Sequence, residues 1–135
     1  MIRTLTIPVP GQGLHGITGA VRAEVERSAQ GDGLCTLFIQ HTSASLLIQE
    51  NYDPSAQHDL EQWLNRLVPE HDPLYTHTLE GPDDMPAHIK ASLTATSLSI
   101  PVIDGSLALG TWQGIYLWEH RYAASHRRVI LHLGN

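Results

Sequence analysis

Positive charge is scarce in this sequence: one lysine, Lys90, and seven arginines face fourteen acidic residues, leaving a net charge of −6. A surface so poor in cations cannot displace the counterions of a phosphate backbone, which excludes a general nucleic-acid binder. Cysteine occurs once, as Cys35, so no disulfide can close within the chain, as suits a reducing compartment. No stretch approaches the ~20 apolar residues of a membrane-spanning helix. The opening residues, MIRTLTIPVPGQG, lack the charged start, apolar stretch and cleavage site of a secretory leader. The glycines form neither a P-loop nor a GxGxxG turn, so the usual cradles for nucleotide phosphates are missing. These absences lead to the expectation of a cytoplasmic protein with no nucleic-acid and no membrane partner.

What is there suits a globular chain. Its 135 residues are 41% hydrophobic and 16% charged, and a chain of this length buries roughly two-thirds of the surface its unfolded form exposes. One domain spanning residues 1–135 is expected. Histidine is the abundant residue, with nine copies against eight lysines and arginines together. It is the commonest neutral metal ligand and the usual acid or base near pH 7. Arg121, Arg127 and Arg128 fall close together near the C-terminus, a cluster able to hold a small phosphate.

Hydrophobic periodicity predicts a first strand over residues 2–9 and a helix over 17–30, ended by Gly31-Asp32-Gly33. Residues 34–41 and 44–50 read as strands, either a hairpin or one bent strand. A helix follows with Asp53 as N-cap and Pro54 at its first position; its apolar stripe is Leu60, Trp63, Leu64, Leu67 and Val68. Residues 69–82 form a long polar loop, of the kind that is functional or disordered. A short helix starts near Asp83-Asp84 and runs to about Ala95. Strands are predicted over 98–103, 107–110, 113–120 and 129–133, with a primed turn at Asp104-Gly105. The order is neither βαβ alternation nor all-β, so the fold class is α+β: a largely antiparallel sheet or sandwich with two to three helices.

Several residues have chemical potential. His41 ends a strand face and is followed by Thr42 and Ser43; a rigid strand-end imidazole suits a metal, and Ser43 and Ser45 could hydrogen-bond an anion. A satisfied strand-end histidine is the plain alternative. His77 in the loop and His88 on the next helix form a possible ligand pair, although their spacing matches no standard zinc signature. Asp84, one turn before His88, is either the carboxylate that orients such a ligand or an acid that starts the helix. Glu119 continues the face of Gln113, Ile115 and Leu117, so it sits at an exposed strand end or is held by a partner, for which Arg121 is at hand.

Taken together, His41-Thr42-Ser43-Ala44-Ser45, Glu50-Asn51 with Asp53-Pro54, His58-Asp59, the stretch from Glu80 through Asp83-Asp84-Met85-Pro86 to His88-Ile89-Lys90, Gly110-Thr111-Trp112-Gln113-Gly114-Ile115 and Glu119-His120-Arg121 resemble the YjbQ-like family. The resemblance implies an α+β fold assembled as a homotrimer, with a histidine-lined polar pocket at the subunit boundary. It implies a divalent metal, zinc or magnesium, on His41, His77 and His88. It also implies a thiamine-phosphate synthase-type transferase, joining hydroxymethylpyrimidine diphosphate to thiazole phosphate with release of pyrophosphate. On that expectation the partners are small phosphorylated substrates. Glu119, His88 and Arg121 are the catalytic candidates, and Ser43, Lys90, Thr111 and Gln113 line the bound molecules. Two alternatives stand beside it, because histidines suit zinc better than magnesium: a zinc-dependent hydrolase of a small phosphorylated compound, and a non-catalytic trimeric metal- or anion-binding protein.

Overall fold

The computed structural model describes residues 1–134 and has the expected α+β class, with three helices and antiparallel sheets. The chain runs through β1 (Ile2–Val9), β2 (Gly13–Gly16), α1 (Thr18–Ser28), β3 (Gly33–Ile39), β4 (Ala44–Glu50), α2 (Pro54–Leu67), α3 (Asp84–Leu93), β5 (Ser97–Ile103), β6 (Ser106–Leu107), β7 (Gln113–Glu119) and β8 (Ser125–Gly134). Five strands form one sheet in the order β1-β8-β3-β5-β6, and three form a second in the order β2-β7-β4.

Alternating side chains put Cys35, Leu37 and Ile39 of β3 and Val129 and Leu131 of β8 on the inner face of the large sheet. They pack against Leu46, Ile115 and Leu117 of the small sheet and Val21 and Val25 of α1 in one core. A second, smaller cluster joins Leu64 and Val68 to Trp118, with Leu14, Leu47 and Ile89 at its edge. β7 therefore has a covered face on each side, which is why its run from Gly114 to Glu119 is buried without alternation.

Local signals act where expected. The Asp53 side chain accepts from the Ser55 backbone N–H at 2.9 Å, and Pro54 begins α2. Asp104 and Gly105 both have positive φ, 49° and 80°, as a type I′ hairpin turn demands. Two readings change. β3 and β4 are neither a hairpin nor one strand of a single sheet: β3 pairs with β5 and β8, and β4 pairs with β7. The connection 40–43 thus carries the chain from the large sheet to the small one. On α2 only Leu64 is buried within the helix, while Trp63 and Leu67 are half exposed. The cluster beneath the helix, Trp118 with Leu14, Leu47 and Ile89 at its edge, covers Leu64, Val68 and part of Leu60 but leaves Trp63 and Leu67 half exposed.

Candidate metal centre

At one end of β7, three segments meet. α3 presents Asp84 and His88 four residues apart on one face. The 69–82 loop brings His77 to them, and the residues after β7 contribute Arg121. His77 Nε2 lies 2.6 Å from Asp84 Oδ2, and His88 Nε2 lies 3.2 Å from the same oxygen. Ligand atoms of these three residues all fall within 4.8 Å of one another, and they form the one such group among the described residues.

The outer atoms of the group are held in place. Arg121 donates from Nη1 to Asp84 Oδ1, from Nε to Asp83 Oδ2 and from Nη2 to the Glu80 carbonyl. That clamp fixes the loop's end against the start of α3 and leaves Oδ2 of Asp84 free to face the histidines. His88 Nδ1 stands 2.9 Å from the Thr42 carbonyl. A carbonyl can only accept, so Nδ1 carries the proton. The other ring nitrogen, Nε2, meets the Asp84 carboxylate, and that contact is satisfied either by a proton on Nε2 or by a bound cation shared between the two. Burial pushes the Asp84 carboxyl up, but the His77 hydrogen bond and the Arg121 and His88 charges outweigh it and hold it below the ordinary carboxylate value.

Of the sequence candidates, the structure brings together His77 and His88, with Asp84 as the third member rather than His41. His41 Nε2 accepts from the Arg128 backbone N–H at 2.9 Å, so its lone pair is occupied, and its Nδ1 faces Arg127 Nη1 at 3.3 Å. Ser43 accepts from Arg127. Lys90 is buried and donates to Asn65 Oδ1 at 2.6 Å. Gln113 lies at the far end of β7, six residues or about 20 Å from Glu119, and its Oε1 accepts from the Gly110 backbone N–H. Thr111 belongs to the same turn. There a Cβ at Gly114 would stand 2.8 Å from the Cβ of Asn51, so the glycine answers to packing.

Glu119 is not at an exposed end, and Arg121 is not its side-chain partner. It is fully buried and takes five hydrogen bonds: from Nε and Nη2 of Arg127, from the Ser125 hydroxyl, and from the backbone N–H groups of His120 and Arg121. Burial pushes its carboxyl up, yet the Arg127 hydrogen bond leads the opposing effects that hold it below its ordinary value. Arg127 was not paired with it from the sequence, although it shares the inward period-2 face of Val129 and Leu131 on β8.

Next to Glu119, His120 is buried and its Nε2 meets Ser45 Oγ at 2.9 Å. Burial drives its pKa down to about 3, helped by the Lys90 and Arg127 charges and opposed by Glu119. The unfolded chain then binds a proton that the folded one refuses. His120 therefore costs the fold nothing above its ordinary value of 6.5 and lowers stability steadily as pH falls from there towards 3. The limiting slope is about 1.4 kcal/mol per pH unit. Urea unfolding between pH 7 and pH 5 is expected to show a shallower loss of stability in His120→Asn than in the unaltered protein.

A family model described as UPF0047 protein YjbQ-like matches residues 3–135. A UPF0047 protein of Synechocystis is 50% identical over 96% of this chain and 88% of its own. The YjbQ protein of Escherichia coli O157:H7 is 44% identical, over 95% and 93%. Among solved structures, a conserved hypothetical protein of Thermus thermophilus superposes with a TM-score of 0.86 at 37% identity, covering 97% of this chain and 98% of that one. A hypothetical protein of Aeropyrum pernix gives 0.90 at 26% identity, covering 100% and 99%. These relatives are named as UPF0047, YjbQ or hypothetical proteins, and none as a thiamine-phosphate synthase. That overturns the expected condensation of hydroxymethylpyrimidine diphosphate with thiazole phosphate, and the hydrolase alternative falls with it, since no relative's name supports a specific catalytic activity. The geometry agrees in one respect: Lys90, expected to line the bound molecules, and Arg121, expected to be catalytic, are both already engaged with other side chains.

Proposed function

The chain belongs to the YjbQ-like family of UPF0047 proteins, and on that premise we propose that it binds a divalent transition-metal ion through His77 Nε2, Asp84 Oδ2 and His88 Nε2. The observation that carries this is the His88 ring, whose Nδ1–H is committed to the Thr42 carbonyl while its other nitrogen confronts the Asp84 carboxylate. A backbone carbonyl on one ring nitrogen is the usual device that fixes a ligating imidazole. Two imidazoles and a carboxylate suit zinc or a neighbouring first-row ion, whereas magnesium prefers an all-oxygen shell.

Three protein donors leave at least one coordination position free, and the His77 and His88 side chains are 44% and 32% exposed. Bound there, the ion supplies Lewis acidity to an oxygen of a small ligand. Arg121 keeps Asp84 turned towards the ion, and Thr42 keeps His88 so. The same reading takes the protein as a cytoplasmic homotrimer, supported by Leu74 and Leu79, 86% and 99% exposed on the loop that carries His77, and by the free, buried Cys35. Sedimentation at the mass of a single chain would remove the assembly from it.

Calorimetric titration of the full chain with Zn²⁺ tests the metal site. One ion per chain is expected, with binding to His88→Ala weaker by about 100-fold or more. Equal affinity in the two proteins would refute the site.

A further inference from the structure

The 40–43 connection that takes the chain from one sheet to the other borders a hollow of its own. The space is about 490 Å³, lined among others by Gln40, His41, Thr42, Ser43, Thr96 and Arg127. The hydrogen-bond inventory of its wall is unbalanced. His41 Nε2 accepts from a backbone N–H, so a neutral ring carries its proton on Nδ1. Arg127 Nη1, which can only donate, stands 3.3 Å from that same Nδ1. Two donors face each other, and no acceptor lies between them.

The neighbouring groups lean the same way. Ser43 Oγ accepts from Arg127 Nη2 at 3.0 Å, which leaves its own O–H to donate elsewhere. Thr42 and Thr96 add hydroxyls to the wall. Arg127 is itself more than nine-tenths buried, locked by Glu119 through Nε and Nη2, so Nη1 is pre-aimed at the hollow. The Glu119 charge is taken up by that pair, and the Arg128 charge also acts on His41.

We propose that this hollow binds a phosphate-class oxyanion, with Arg127 Nη1 and His41 Nδ1 donating to it together. More donors surround the space than the two oxygens of a carboxylate can use, whereas a tetrahedral oxyanion can accept from all of them. The volume exceeds that of a phosphate, so a phosphate ester fits with its remaining part. A second hollow of about 220 Å³ shares His41, Thr42 and Thr96 with the first and reaches His88. A molecule anchored by its phosphate can thus extend towards the metal centre. That extension rests on the proposed metal site, while the anion site stands on the donor geometry alone.

Phosphate titration of the ¹⁵N-labelled full chain, stripped of metal with a chelator, separates the two. The His41 ring and Arg127 guanidinium resonances are expected to shift together and saturate. His41→Phe should weaken phosphate binding about tenfold, the cost of one hydrogen bond to a charged group, with zinc affinity retained. Thr96→Val should weaken it by less, and serves if His41→Phe folds poorly. Glycerol phosphate in place of inorganic phosphate distinguishes the sources: tighter binding marks an ester group of a larger ligand, equal binding marks the free anion. Phosphate shifts that need zinc and centre on His77 and His88 would overturn the proposal, as would unchanged affinity in both variants.

Discussion

Replacing Arg127 with methionine is expected to remove about 3–5 kcal/mol of stability, the range seen when one member of a buried ion pair is deleted. Arg127 lies on β8 of the large sheet and Glu119 on β7 of the small one, so their paired hydrogen bonds tie the two layers together where the hydrophobic core ends. Methionine fills most of the volume, which limits the cavity contribution and leaves the unpaired carboxylate as the main cost. Ser125 and two backbone N–H groups cannot replace a guanidinium.

The pH dependence of the same variant has a definite sign. In the unaltered protein the folded Glu119 carboxyl sits below its ordinary value. Its contribution is therefore complete above the unfolded value and is lost as pH falls through the folded one. Without Arg127, burial is opposed only by the remaining hydrogen bonds, so the folded value rises and the acid limb of the stability curve moves to higher pH. Urea unfolding across pH 4 to 8 reads both effects. A variant as stable as the parent, with the same acid limb, would show that the pair holds nothing.

Asp84→Asn is expected to abolish zinc binding, by about 100-fold or more in affinity, with little disturbance of the fold. The amide keeps an oxygen to accept from Arg121, and Arg121 keeps its bond to Asp83. The Asn Nδ2 can donate to the His88 lone pair, so a proton donor supplies what the ion would otherwise supply and the rings keep their places. This contrast separates the two ways of satisfying that lone pair. If the group is a metal site, the substitution removes the metal; if the histidines are merely protonated partners of a carboxylate, the parent binds no zinc and the substitution changes only their titration. Zinc calorimetry and the ring resonances of His77 and His88 decide between them.

The parts of this structure that the sequence disclosed are those governed by neighbours in the chain. The Asp53-Pro54 helix start and the Asp104-Gly105 turn depend on a few consecutive residues. The Asp84-His88 pair follows from helical spacing alone, and it supplied two of the three residues of the candidate site. What stayed hidden depends on how the layers stack. Trp63 and Leu67 have the spacing of a buried stripe, but how much of a stripe is covered is set by what lies beneath it, here the small cluster around Trp118 that takes Leu64 and Val68.

The misassignments at the site have the same origin. His41 ends a buried strand face, as a ligand would, yet the backbone N–H of Arg128 on the adjacent β8 takes its lone pair. Strand pairing between β3 and β8 was not readable from either segment. Glu119 was offered its sequence neighbour Arg121, while the residue that neutralises it comes from another sheet. A clue was present: Arg127 sits two residues before Val129 on an inward face, and an arginine in phase with buried residues calls for a buried acid.

Anomalous X-ray scattering at the zinc edge, from crystals of the full chain grown with zinc, tests the centre most directly. A peak is expected within about 2.0–2.2 Å of His77 Nε2, Asp84 Oδ2 and His88 Nε2, with His88 Nδ1 still on the Thr42 carbonyl. Zinc found only on other histidines, with the Asp84 oxygen still in direct contact with both rings, would contradict the account.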